Sequence, residues 1–337
     1  MTRRQRIQTV TGAMAISLIA LACVSCCTGR GPARDYAGRT PLPDHIASQF
    51  ARPKQTEFDV KETIKDRQDA FTVKHVTLSN LDCDLAPPDG KQKGHSITLE
   101  WYIPTKPVRA PMPTILVLPI FGGGYEVSRL FAPYFAKKGF AAFIVHRQNR
   151  YRRFDDLEKI DPVLRQMVLD HRKVLDWLET RLELDANRIG SFGVSMGGIK
   201  NALLTSLDPR IKASVLGLAG GDLPHILAYS KEPGVVERRG KLLTKYNITQ
   251  AQLFERLKTV IECDPLNYAE YSDARRVLII RALFDKCIPP HSTHSLRKEM
   301  GNPRMVTVAA GHYSAIVYVP YIRRRSLSFF RKKLLSR

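Results

Sequence analysis

Apolar positions along this chain fall into two alternating rhythms. Short continuous apolar runs, such as Ile115-Leu116-Val117-Leu118 and Val277-Leu278-Ile279-Ile280, alternate with longer stretches of helical spacing. The runs predict strands at 71–79, 96–103, 113–118, 140–146, 188–192, 213–218, 277–282 and 304–309. The intervening stretches predict helices at 127–138, 162–184, 198–207, 250–263 and 291–300. Strands that are apolar throughout, rather than at every second residue, are buried on both faces, which is the signature of parallel strands covered by helices. The pattern therefore predicts an α/β fold with a mostly parallel, eight-stranded sheet and helices on both faces. One interval breaks the rhythm. Residues 220–272 separate two successive strands by far more than a plain crossover needs, so they are expected to form a helical cap insertion.

The N-terminus obeys a different logic. Arg3, Arg4 and Arg6 precede an apolar stretch at 10–24, which is too short for a comfortable membrane span and fits an export signal over 1–27. Ala20-Leu21-Ala22-Cys23 leaves open whether the chain is lipidated on Cys23 and held at the cell envelope or simply exported. Residues 28–68 are polar and carry Pro32, Pro41, Pro43 and Pro53, as expected of a tether leading to a main domain over 69–337. Three of the six cysteines lie in the signal region, leaving Cys83, Cys263 and Cys287. At most one bridge can form among three; Cys263 with Cys287 and free buried thiols are the two readings.

Composition adds bulk and charge. With 337 residues and 44% hydrophobic content the chain can bury a sizeable core. The net charge of +21 is spread through predicted helices without a nucleic-acid motif, so no nucleic-acid partner is expected. Two clusters stand out, Arg147 to Arg153 and the tail from Arg323 to Lys333. The first could favour anionic substrates at a strand end. The second reads as a packing helix with solvated cations, or as a surface for anionic lipid headgroups that would complement a lipid anchor.

The chemistry is concentrated at three strand ends. Gly193-Val194-Ser195-Met196-Gly197 joins a strand to a helix, which puts the Ser195 hydroxyl on a sharp turn above the sheet. Asp285 follows the strand at 277–282, and His312 follows the last strand in Ala310-Gly311-His312. A serine hydroxyl is a poor nucleophile at neutral pH, so a histidine must take its proton and an acid must orient the imidazole. Asp222, at the end of the strand 213–218, competes for the acid role; the Ile288-Pro289 ending of the Asp285 loop favours Asp285. His291 and His294 fall at a helix start and read as solvated, with no metal site expected. An oxyanion needs two backbone donors: Met196 N–H is one candidate, and Phe121 or Gly122 in the glycine-rich loop after 113–118 is the other.

These residues together resemble the serine hydrolases of the α/β-hydrolase superfamily, in the neighbourhood of the dienelactone hydrolases and prolyl-oligopeptidase-like esterases. The resemblance rests on the loop at 121–124, Asp170 to Leu178 with its Leu175-Asp176-Trp177 core, the 193–197 turn, Asp285 and Gly311-His312. It covers roughly 95–335. Dienelactone hydrolases use a cysteine where this chain has Ser195, and no β-propeller precedes the domain. The resemblance implies an α/β-hydrolase fold and cleavage of small carboxylic esters through an acyl-enzyme, with no cofactor. A peptidase or amidase with the same three residues, and a non-catalytic envelope binding protein on the same fold, are the alternatives.

Overall fold

A computed structural model describes residues 28–81, 95–148 and 156–336. The export signal expected over 1–27, Cys83 and most of the Arg147–Arg153 cluster lie outside the described residues. In chain order the elements begin with β1 (Thr28–Gly29), α1 (Asp44–Gln49), β2 (Asp59–Gln68), β3 (Phe71–Leu81), β4 (His95–Pro104) and β5 (Met112–Leu118). They continue with α2 (Glu126–Arg129), α3 (Ala132–Ala136), β6 (Ala141–Val145), α4 (Leu157–Glu179), β7 (Leu184–Val194), α5 (Met196–Leu207) and β8 (Ile211–Gly217). Next come α6 (Leu223–Tyr229), α7 (Pro233–Tyr246), α8 (Gln250–Val260), β9 (Val277–Ala282), α9 (Pro290–Glu299), β10 (Arg304–Val308) and α10 (Val319–Phe330).

The sheet has ten strands in the order β1-β10-β9-β8-β7-β5-β6-β4-β3-β2, two more than the sequence pattern predicts. The six strands from β6 to β10 in that order are parallel, and β4, β3 and β2 add on antiparallel. Alternate residues feed opposite faces: Leu116, Leu118 and Phe143 join one buried cluster, while Ile115, Val117 and Ala142 join the other. This is the two-faced burial that the continuous apolar runs imply.

Both extra strands come from the stretch read as a tether. Thr28-Gly29 pairs with β10, and the ten-residue β2 pairs with β3. Phe50 is buried at 1% exposure, edge-on to Tyr268 at 5.6 Å. Residues 28–68 are thus packed along the domain. Their polar composition misled because β2 is an edge strand whose side chains are nearly all solvent-facing. The predicted helix at 127–138 is divided into α2 and α3 between Leu130 and Phe131. Cys263 and Cys287 are both buried and free. Among the described residues no helix is long and apolar enough to cross a membrane.

The interface of α4 with α5 carries a buried imidazole. The His171 Nδ1–H donates to the Met167 carbonyl, while Nε2 has no partner. Burial, and then the neighbouring Lys200, push its pKa from 6.5 down to about 3. Below pH 6.5 the unfolded chain therefore binds a proton that the folded chain refuses, and stability is lost progressively as the pH falls towards 3. Urea titrations across that window are expected to show a shallower loss for His171→Phe than for wild type. Equal slopes would remove His171 from the acid response.

Candidate active site

The carboxyl ends of β5, β7, β9 and β10 gather the candidate residues, where ligands bind in open parallel sheets. Ser195 occupies the turn from β7 into α5 with φ 56° and ψ −126°, a left-handed conformation that a side-chain-bearing residue adopts only when its surroundings force it. The Ser195 amide donates to the Gly217 carbonyl on β8 at 2.8 Å, and the Ser195 carbonyl accepts from Ile199 N–H at 2.9 Å. The turn is also compressed sideways. A Cβ at Gly193 would fall on the Gly197 backbone, and one at Gly197 would fall on the Leu118 carbonyl oxygen of β5.

Ser195, His312 and Asp285 are brought into line. Ser195 Oγ lies 3.0 Å from His312 Nε2, and His312 Nδ1 lies 2.7 Å from Asp285 Oδ2. The second carboxylate oxygen of Asp285 accepts from the amides of Cys287 and Ile288, both at 2.8 Å. Asp285 is 5% exposed, so these contacts fix its carboxylate and through it the imidazole. An Nδ1–H donated to Asp285 leaves Nε2 as the acceptor for the serine proton. Asp222 is occupied elsewhere: it caps α6 by accepting from His225 N–H at 3.2 Å.

The loop after β5 lies across the mouth, with Phe121 and Gly122 lining the same cleft as Ser195, Met196 and His312. Arg147, expected from the sequence to favour anionic substrates, has a different role here. Its guanidinium donates to the carbonyls of Ile120 at 2.9 Å, Gly122 at 2.6 Å and Gly124 at 3.2 Å, and also to Gly123. It stacks over Tyr125 at 5.1 Å, whose hydroxyl accepts from the Arg147 amide. Tyr125 in turn stacks on His146 at 4.1 Å, and His146 bonds the buried Glu100 at 3.1 Å. Burial alone would raise the Glu100 pKa, but the bonds from His146, Arg129 and Tyr102 outweigh it and bring it to about 2. Arg147 therefore spends its charge on loop carbonyls rather than on an anionic ligand. The only sequence signal was its place just beyond a strand end.

Two groups among the described residues place three metal-ligand atoms within 4.8 Å of one another: Asp222 with His225 and His291, and Asp285 with Cys287 and His312. In the second, Asp285 and His312 already bond each other. The first unites His291 with two residues of the cap's start, which the sequence kept apart. Burial and the adjacent His291 lower the His225 pKa. His294 sits instead beside Arg281, its pKa lowered by burial and then by that cation.

The cleft itself holds about 230 Å³. The cap helices α6, α7 and α8 cover one end, and α8 is fixed by a capping box in which Thr249 and Gln252 satisfy each other's backbone amides. Tyr313, at 62% exposure, stands at the solvent-facing lip, its hydroxyl 3.5 Å from Glu232 at the start of α7.

The sheet order, the parallel centre and the serine turn between β7 and α5 define an α/β-hydrolase fold. Residues 100–226 match the model of the dienelactone hydrolase family. A comparison with curated proteins gives no match. Among solved structures, an acetyl xylan esterase from Paenibacillus sp. R4 is similar at 17% identity and TM-score 0.60, covering 87% of this chain and 100% of its own. Acetyl xylan esterase 1 from Thermoanaerobacterium sp. JW/SL YS485 gives 15% identity and TM-score 0.59, covering 88% and 97%. The acylaminoacyl peptidase of Pyrococcus horikoshii gives 17% and 0.55, covering 79% of this chain and 42% of its own.

Proposed function

We propose that the protein is an exported serine hydrolase that cleaves carboxylic esters through an acyl-enzyme. The observation that carries this reading is the relay of 3.0 Å and 2.7 Å from Ser195 through His312 to Asp285, opening on a cleft large enough for a substrate. The Ser195 oxygen attacks the ester carbonyl as its proton passes to His312 Nε2. Asp285 holds the imidazolium that forms. The tetrahedral intermediate collapses, His312 returns the proton to the departing alkoxide, and the alcohol leaves. Water then repeats the sequence on the acyl-serine and releases the acid. Export rests on the basic and apolar pattern of 1–27. The small-molecule ester, rather than a peptide, is supported by the esterases among the similar structures.

The same geometry supports a pair of oxyanion donors. Met196 N–H stands immediately after the nucleophile at the N-terminus of α5, where the helix leaves its first amides free. For the second donor, peptide planarity favours Phe121 over Gly122. In a trans peptide the carbonyl and the following N–H point in opposite directions. Arg147 holds the Ile120 carbonyl on its own side, so the Phe121 N–H of the same peptide unit faces away from Arg147.

Removal of that clamp tests this assignment. Arg147→Ala is expected to lower kcat by about 10- to 1000-fold, up to the cost of losing one oxyanion donor, with a much smaller change in KM. Partial recovery in Arg147→Lys, or on adding millimolar guanidinium to Arg147→Ala, would show that a positioned cation is what the loop needs. A rise in KM with kcat unchanged would instead mean that the loop binds substrate without stabilising the oxyanion. The overall reading is tested by a fluorophosphonate probe. It should label one residue stoichiometrically, with Ser195 carrying the adduct in the digested protein; labelling elsewhere, or none, would defeat it.

A further inference from the structure

The cleft distinguishes its two ends. Beneath the cap it is walled by Leu223, Ile226, Leu227, Leu242, Leu253 and Leu257. Leu253 and Leu257 are fully buried, so this end is closed. At the other end Tyr313 and Ile316 are 62% and 58% exposed, so that end opens to solvent. Charged groups that reach the cleft are engaged with the protein. Glu232 accepts from Val235 N–H at 2.7 Å, Arg239 donates to the Ser230 carbonyl at 3.0 Å, and the Arg238 guanidinium lies over the Phe121 ring at 4.2 Å. The closed end thus offers apolar surface with nothing to hydrogen-bond a sugar or a short polar acyl group.

Resting on the esterase reading above, we propose that the substrate's acyl group is an apolar chain of medium length seated beneath the cap, and that acetyl is a poor substrate. The orientation follows from the proton transfer. His312 must reach the leaving oxygen, and the residues that follow it, Tyr313 and Ile316, form the open lip, so the alcohol leaves by that side. The acyl group is then directed to the closed end. An apolar cavity of about 150 Å³ holds a benzene-sized molecule; the whole cleft holds about 230 Å³, and the share of it beneath the cap suits an acyl chain of roughly six to eight carbons. An acetyl group would leave most of that wall uncovered. This separates the chain from the acetyl xylan esterases whose fold it shares.

The experiment compares p-nitrophenyl acetate, butyrate, hexanoate, octanoate and laurate below their micelle concentrations, alongside fluorophosphonate labelling of Ser195. kcat/KM is expected to rise by about fourfold for each methylene that enters the cavity, giving octanoate, six methylenes longer than acetate, an advantage of about a thousandfold or more. Leu227→Trp, which fills the space beneath the cap from a half-buried position, is expected to lower the octanoate-to-acetate ratio at least tenfold. Acetate equal to or better than octanoate, with Ser195 still labelled, overturns the acyl assignment and leaves the esterase reading standing. An unchanged ratio in Leu227→Trp overturns the seat beneath the cap. Absence of both turnover and labelling overturns the esterase reading and the acyl assignment with it.

Discussion

Ser195→Ala is expected to reduce ester turnover by about 10⁶-fold, leaving only the residual acceleration supplied by bound substrate and oxyanion donors. The magnitude follows from what the residue does: without Oγ no acyl-enzyme forms, and His312 has no proton to move. The burst of p-nitrophenol should vanish together with steady-state turnover. Asp285→Asn tests the relay one step further out. An amide donates towards Nδ1 and turns the imidazole to the wrong tautomer, so a loss of about 10⁴-fold in kcat is expected. Asp222→Asn should change kcat by less than about threefold, because Asp222 caps α6 and does not reach His312. A large loss in Asp222→Asn with activity retained in Asp285→Asn would reverse the assignment of the acid, whatever the resting geometry.

The alignment of Ser195, His312 and Asp285 was legible because each sits just past the end of a strongly apolar strand, where pattern alone fixes both the element and its carboxyl end. The choice between Asp285 and Asp222 was legible only as a preference. What separates them is the pair of amides from Cys287 and Ile288 that orient Asp285, and backbone direction in a loop leaves little trace in composition. Arg147 was hidden for a related reason. A guanidinium that satisfies backbone carbonyls has no sequence partner to reveal it, so at a strand end it read as a cation for anionic substrates. The packing of 28–68 was missed because edge-strand pairing is made by backbone groups, so Asp59–Gln68 reads as polar coil. The helical excursion over 220–272 was legible as an interruption of rhythm. Its apolar lining was not, since an amphipathic helix looks the same whether it covers a core or a cleft.

Gly197→Ala is expected to be among the most damaging additions of a single methyl group in the domain. The added carbon would fall on the Leu118 carbonyl oxygen of β5, a backbone atom held in the sheet by its neighbours, so no side-chain rotation relieves the overlap. The elbow has little room on its other sides. Gly193 packs against the backbone of Gly197 itself, and a Cβ on Gly198 would stand 2.7 Å from that of Ala219. Either β5 separates from β7 or α5 lifts from the sheet, and both disturb the core beneath the site. A cost of about 3 kcal/mol or more is expected, at the upper end for overpacking. Thermal unfolding should therefore show a fall of several degrees. Activity should fall further than stability accounts for, because lifting α5 moves Ser195 Oγ and the Met196 amide together and breaks the 3.0 Å contact with His312. Assays well below the lowered melting temperature separate the two effects. If the folded variant retained wild-type kcat there, the elbow would tolerate displacement, and the close packing around Ser195 would be a matter of stability alone.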